Sequence, residues 1–261
     1  MTARGIKCNW NDAGTPAYAF ITAAGANRFD MGTIDVTICG WITVRGDKGA
    51  SSTSIGMPFA WIGETTNTGA NCRIHATDAD GSFQHSPWTY VSRYMDSSFA
   101  QADFGSTGDN VATNQNWFFA IVWDHAAAQW TMYYAVDGGS LSASTATSVT
   151  YTGADPFNHI ELGRENDNAI GANVEITNVK VWKRVFSSAE LTAEKTSEAM
   201  VITTAAWAHW KLASSADLTD YSGNSRSLTL SGSVGDGTMD PTDIQGGASG
   251  SGCRWYGILK A

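Results

Sequence analysis

Between residues 173 and 182 apolar side chains fall at Val174, Ile176, Val179, Val181 and Trp182 among polar ones. This near-period-two spacing predicts a strand with one face on a core. The run then meets Ser187-Ser188-Ala189-Glu190, a capping box. There the Ser187 hydroxyl satisfies a free main-chain N–H of a first helical turn and Glu190 reaches back. Residues 187–200 are the only stretch that reads as helix. Upstream, residues 117–136 read as two aromatic strands joined by a short loop, followed by an Asp137-Gly138 turn and a strand over residues 159–163. Ile34, Val36 and Ile38 alternate with polar partners in a half-buried strand that runs to Val44. Shorter apolar strands are predicted at 17–23, 57–63 and 72–76, and a hairpin at 78–94. Residues 101–116 read as a long polar loop, 136–148 as a turn followed by small polar residues, and 231–252 as a weakly ordered arm. The pattern is all-β.

The ordered set of segments resembles the concanavalin A-like lectin and glucanase superfamily, in its laminin-G-like and pentraxin-like branch. NWFFAIVWDHAAAQWTMYYAVDGG is similar to that superfamily's central hairpin, and IELGRENDNAIGANVEITNVKVWKRVFSSAEL to its closing strand and short helix. AHWKLASSADLTDYSGNSRSLTLSG resembles its Trp-x-Leu … Asp-x-Ser-Gly-Asn … Leu-Thr segment, and TIDVTICGWITV the strand whose Trp begins the core. The resemblance implies a jelly-roll sandwich of two antiparallel sheets with one short helix, and ligand binding through rim loops, most often to glycans. One segment is displaced, since the Trp-x-Leu piece usually comes first and here follows the helix. Either a C-terminal strand takes the place of the usual N-terminal one, or a degenerate second unit begins near residue 203. The 58 residues after Thr203 are too few and too glycine-rich for an independent jelly roll. We therefore expect one domain over residues 1–230, including C-terminal strands in 205–230, and a Gly/Ser-rich linker with an apolar docking tail over 231–261.

Composition narrows the function classes. Charged residues are 16% of the chain and the formal net charge is −9. Such a surface repels phosphate, and with no Lys/Arg cluster to offset it nucleic-acid binding is not expected. No apolar run approaches the roughly 20 residues of a membrane span, so membrane insertion is not expected either. The N-terminal residues lack the basic, apolar and cleavage regions of a secretory signal. Cys8, Cys39, Cys72 and Cys253 are far apart with no Cys-x-x-Cys pair, which counts against a zinc site and reads as idle thiols, with one or two disulfides as the alternative.

Catalytic chemistry is hard to place. Glucan-hydrolysing branches of the superfamily carry a Glu-x-Asp-x-x-Glu strand, whose alternate positions set acid and nucleophile on one face. No such run occurs, and Glu161, Glu175 and the helical Glu190, Glu194 and Glu198 read as solvated or capping carboxylates. The five histidines are scattered. We expect no enzyme. Trp41, Trp117, Trp123, Trp182 and Trp210 lie on predicted strands and read as core. Trp88 and Tyr90, in a Pro-containing loop segment, are the aromatic candidates for stacking on a sugar, with a loop cluster that covers the sheet edge as the equal alternative. Arg164, Asn166 and Asp167, in the polar stretch before Gly171, complete the candidate ligand-binding set. Asp167, Asp220 and Asn224 are the candidates for calcium. For both polar clusters a turn that braces its own backbone is the favoured alternative, and no other cofactor is implied.

Low charge, Thr/Ala/Ser/Gly richness and the linker before Trp255, Tyr256, Ile258 and Leu259 fit a protein assembled from the cytoplasm onto a larger particle. The expectation is a lectin-like virion protein, a phage capsid decoration or tail fibre, homo-oligomeric and held to other subunits by its tail. A purely structural spacer without a sugar site is one alternative; a secreted glycan-active enzyme is the other and is disfavoured for want of paired carboxylates, and the alternative location is extracellular.

Overall fold

The computed structural model describes residues 5–8, 17–45, 57–63, 71–77, 89–95, 101–106, 114–146, 149–151, 156–164 and 174–239. In chain order these form β1 (Ile6–Cys8), β2 (Tyr18–Thr22), a 3-10 turn (Gly25–Asn27), β3 (Phe29–Asp30), β4 (Val36–Val44), β5 (Met57–Gly63) and β6 (Asn71–Thr77). There follow β7 (Thr89–Met95), β8 (Gln101–Ser106), β9 (Asn116–Asp124), β10 (Gln129–Val136), β11 (Ser142–Ala146), β12 (Pro156–Phe157) and β13 (His159–Leu162). The chain ends with β14 (Val174–Trp182), helix α1 (Ser188–Lys195), β15 (Ala206–Trp210), β16 (Thr229–Ser231) and β17 (Gly235–Asp236).

An eight-stranded sheet runs β11-β10-β9-β4-β14-β1-β17, with β15 also on β14, and a seven-stranded sheet runs β16-β2-β13-β5-β6-β7-β8. Neighbouring strands pair antiparallel throughout. With one α-helix among the described residues this is the expected jelly-roll sandwich.

Two regions read as loop from composition are strands. Gln101–Ser106 pairs with β7, and Ser142–Ala146 with β10. Small polar residues are poor strand formers alone, and here the neighbouring strand supplies the hydrogen bonds. Residues 232–239 do not leave the sandwich: Gly235–Asp236 pairs with β1, and the Glu175 carboxylate accepts the N–H groups of Thr238 and Met239 at 2.8 and 2.9 Å. The remaining linker and the apolar tail, 240–261, lie outside the described residues.

β14 explains how both chain ends fit. One of its edges pairs with β4, and the other is shared end to end: Val174–Ile176 faces β1, and Val179–Trp182 faces β15. Where the two meet, Asn178 adopts φ +51° and the β4 register shifts. Asn is among the few non-glycine residues that tolerate this region. The C-terminal strand is thus added beside the N-terminal one and does not replace it.

β14 is buried along its whole length, on both faces. Val174, Ile176, Val179 and Val181 pack between the sheets with Ile38, Ile42, Phe119 and Ile121 of the first sheet and Ile62, Ile74, Ile160 and Leu162 of the second. The opposite face of the first sheet presents Cys39, Trp41, Phe118, Ala120, Val122 and Trp182 to Phe186 and Leu191. The helix therefore covers a second, smaller core, and the half-buried reading of the strand gives way to burial on both faces over residues 36–43. The capping box forms as predicted, with Ser187 Oγ accepting from Glu190 N and Glu190 Oε2 from Ser187 N. Glu194, expected at the surface, is instead 1% exposed and ion-paired to Lys180.

Cys8, Cys39 and Cys72 are buried free thiols. Burial pushes the Cys8 and Cys39 thiols up to about 12, so neither reacts as a thiolate near neutral pH. Cys253 lies outside the described residues.

His209 on β15 is also buried, and its Nε2 lies 3.0 Å from Asn178 Oδ1. Asn178 Nδ2 donates to Ser197 O at 3.0 Å, so its oxygen faces the ring and Nε2 carries the proton. Burial, then the charges of Lys180 and Lys211, lower the His209 pKa from 6.5 to about 4. Between those values the unfolded chain binds a proton that the folded one refuses, so stability falls as pH drops through this window. Chemical denaturation is expected to show a loss of about 3 kcal/mol between pH 7 and pH 4 from this group. His209→Gln should flatten that part of the profile; an unchanged profile would show that the imidazole is protonated in the fold.

Candidate functional site

On β13, Ile160 and Leu162 enter the core between the sheets, so the alternating His159 and Glu161 face outward from the second sheet. The register sets Glu161 opposite Phe20 of β2 and Trp61 of β5, and His159 opposite Thr22 and Gly63. Glu161 is nevertheless 1% exposed. A carboxylate so enclosed must be paired, and it is: Oε1 lies 2.9 Å from His159 Nε2 and accepts from Arg164 Nη2 at 2.6 Å, while Oε2 accepts from Arg164 Nε at 3.1 Å. This two-bonded fork holds Glu161 and Arg164 in one plane. The network continues from His159 Nδ1 to the Thr22 hydroxyl at 2.8 Å. The solvated reading of Glu161 is therefore corrected, as is that of Glu175, which is 3% exposed and accepts from Arg45 Nη2 at 2.8 Å.

Aromatic rings border this network. The Arg164 guanidinium lies 3.6 Å from the Tyr18 ring centroid, Tyr18 is 5.5 Å from Phe20, and Phe20 is 5.6 Å from His159. Tyr18 and Phe20 are both half-exposed. On β6, Asn71 and Arg73 alternate with the core residues Cys72 and Ile74 and so lie on the same outer face.

Gly163 makes the turn that lets Arg164 fold back. Its φ is +85°, and a Cβ there would sit 2.5 Å from Cys8 Sγ. Gly163→Ala is expected to destabilise the fold by about 2–3 kcal/mol, from overpacking and left-handed strain together. Thermal melting measures it, and adding Cys8→Gly should recover the overpacking part. A melting point unmoved by Gly163→Ala would mean that the turn is not held against Cys8.

Beyond β2 the same face opens into a groove of about 500 Å³ lined by Phe20, Thr22, Asn27, Trp207, Arg226 and Thr229, among others. Trp207 is buried, donates from Nε1 to Asn27 O at 2.9 Å and packs 4.8 Å from Phe29. The loop that delivers Arg226 is braced by the Asp-x-Ser-Gly-Asn turn. Asp220 Oδ1 accepts from the N–H groups of His209 and Ser222, and Oδ2 from that of Arg226, each at 2.9 Å. Asn224 Nδ2 donates to the carbonyls of Ala206 and Trp207 at 3.0 and 3.2 Å. Those bonds occupy Asp220 and Asn224 as a brace. Among the described residues no cluster of three or more His, Cys, Asp or Glu is placed to hold a metal ion, and no helix is long and apolar enough to cross a membrane.

Of the sequence-derived ligand set, Arg164 lies in the outward network. Tyr90 belongs to strand β7, in register with Ala76, and not to a loop. Trp88, Asn166 and Asp167 lie outside the described residues. Tyr18, Phe20, Thr22, His159, Glu161 and Arg226 were not singled out from the sequence as ligand residues. The signal was present as alternation in Tyr18-Ala-Phe20-Ile-Thr22 and His159-Ile-Glu161-Leu, but their juxtaposition depends on pairing strands 137 residues apart, as the Thr22–His159 bond shows.

No known protein family and no curated protein matches the chain. Among solved structures, it is similar to a native heptameric SAP-like pentraxin from Limulus polyphemus, with a TM-score of 0.54 and 13% identity over 90% of this chain and 97% of that one. It is also similar to a protein from Bacteroides ovatus described as carbohydrate-binding, with a TM-score of 0.54 and 13% identity. That match covers 91% of this chain and spans 61% of the Bacteroides protein. At this identity the likeness establishes the jelly-roll fold.

Proposed function

We propose that this chain is a noncatalytic, lectin-like jelly roll that binds glycans through the outer face of its second sheet. One observation carries the reading: the half-buried Tyr18 and Phe20 rings stand beside the Arg164 guanidinium and the exposed Thr22, which the enclosed His159–Glu161 pair holds in fixed orientation. Sugar rings offer an apolar C–H face to aromatic side chains and a rim of hydroxyls to planar polar ones, and a few well-placed polar groups in an apolar setting are what a ligand site needs. The helix and its small core cover the outer face of the other sheet. The description of the similar Bacteroides ovatus protein as carbohydrate-binding supports the same reading. Trp88, Tyr90, Asn166 and Asp167 remain the proposed extension of the site, since Trp88 directly precedes β7 and Asn166 follows Arg164 by two residues.

Display on a virion, as a homo-oligomer docked through residues 253–261, is the accompanying proposal for where the domain works. Its support is the glycine-rich stretch leading to Trp255, Tyr256, Ile258 and Leu259. Burying such a patch on a partner is favourable at roughly 25 cal/mol per Å².

A glycan array tests the binding reading. The wild-type protein is expected to be retained by a restricted set of glycans and to release them unhydrolysed. Phe20→Ala should lose at least tenfold in affinity with little change in melting temperature, because the ring is half-exposed. Retention that survives in both Phe20→Ala and Tyr18→Ala would move the site to another face. The absence of any retained glycan would favour the structural spacer.

A further inference from the structure

We propose that the groove between β2, β16 and the Arg226 loop takes a saccharide unit that carries a carboxylate. The inference rests on the glycan-binding reading and assigns a ligand class to one end of the same face.

The argument starts from the Arg226 cation. Its Nη1 donates to Trp207 O and its Nη2 to Asn27 Oδ1, both at 2.6 Å and both neutral acceptors. Its Nε is enclosed and has no hydrogen-bond partner among the described residues. Asp220 is the nearby carboxylate that acts on this arginine, yet it bonds the Arg226 main-chain N–H and uses its other oxygen on His209 and Ser222. Among the described residues Arg226 thus lines an open groove without a bonded carboxylate, and the second N–H of each of Nη1 and Nη2, not the enclosed Nε, is the capacity that faces a ligand.

The surroundings add positive charge. Lys183 donates to Arg28 O at 2.8 Å and lies 5.4 Å from the Phe29 ring, which itself packs on Trp207. Burial first, and then the Arg226 charge, hold the Lys183 ammonium below its ordinary pKa. The Arg226 and Lys183 charges thus disfavour each other. A guanidinium recognises a carboxylate by two parallel N–H bonds, which makes this side chain the fitting one for such a ligand.

The other lining groups call for more than a bare anion. Thr22, Ser225, Ser227 and Thr229 place exposed hydroxyls around the groove, and Phe20 supplies a half-exposed ring. Hydroxyls exchange hydrogen bonds with sugar hydroxyls, and the ring meets a sugar's C–H face. The volume of about 500 Å³ falls within the range of small-ligand pockets.

The test is a titration of the isotope-labelled full chain with D-glucuronate, N-acetylneuraminate, D-glucose and acetate. It is followed by NMR at the Trp207 indole N–H and the Thr22 and Thr229 amides. One of the two acidic sugars is expected to shift these signals with an affinity at least tenfold above that of glucose. Arg226→Gln should bring that sugar to the level of glucose, and Arg226→Lys should keep part of the preference. Because Arg226 also ties Trp207 to Asn27, the wild-type shift map stands as the primary readout if the variant folds poorly. Glucose binding as tightly as both acids, acetate binding as tightly as either, or shifts confined to other strands would each overturn the assignment. If neutral glycans alone are retained on an array, only the acidic ligand fails; if no glycan is retained, the glycan-binding reading fails with it.

Discussion

Lys180→Met is expected to destabilise the protein by about 3–5 kcal/mol, the range for removing one partner of a fully buried ion pair. The Lys180 and Glu194 side chains are both fully enclosed, with Nζ 2.8 Å from Glu194 Oε2. The ammonium also lies 2.7 Å from Ser197 O and 2.9 Å from Ala199 O, and Glu194 Oε1 accepts the N–H groups of Val201 and Ile202. One ion pair thus ties the end of α1 and the turn after it to the centre of β14. Without the lysine, the carboxylate remains enclosed and uncompensated. The double variant Lys180→Met/Glu194→Leu should lose much less than the single one, because no lone charge is left behind. Denaturant titration of both variants measures this. A single-variant loss below about 1 kcal/mol would show that water reaches the pair.

Trp182→Ala should cost about 3–5 kcal/mol, as expected for removal of a large enclosed aromatic. Its ring is fully buried, 4.3 Å from Phe186, and its Nε1 donates to Ile202 O at 2.7 Å. The loss arises under the helix, in the smaller core, and not between the sheets. Calorimetric or denaturant unfolding reads it directly, and a loss below about 1 kcal/mol would place the indole at the surface. Because Trp182 and Lys180 both anchor the turn at residues 197–202, their effects should be less than additive.

Much of the sandwich was legible because strands announce themselves locally. Alternation marked β14 and β4, the aromatic hairpin marked β9 and β10, and the capping box marked α1. Burial on both faces of β14 was not legible, because the second covering layer comes from Phe186 and Leu191, outside the strand itself. The strands of small polar residues, β8 and β11, were missed because their pairing and not their composition defines them. The same limit governed the site. Arg164 stood out as part of a polar cluster, whereas Glu161 read as a surface carboxylate. Its partner Arg164 meets it only through the turn at Gly163, and Thr22 joins the network at His159 only through the β2–β13 register. The Asp220 brace was legible as a local motif, and the groove that it supports became visible only once β16 was seen to close on β2.

The most direct test of the central claim is a crystal structure of the full chain with a glycan selected on the array. The account predicts a sugar ring against Tyr18 or Phe20, with its hydroxyls reaching Thr22, Arg164 or the groove beside Thr229. A sugar bound instead over the helix, or on the outer face of the first sheet, would contradict it.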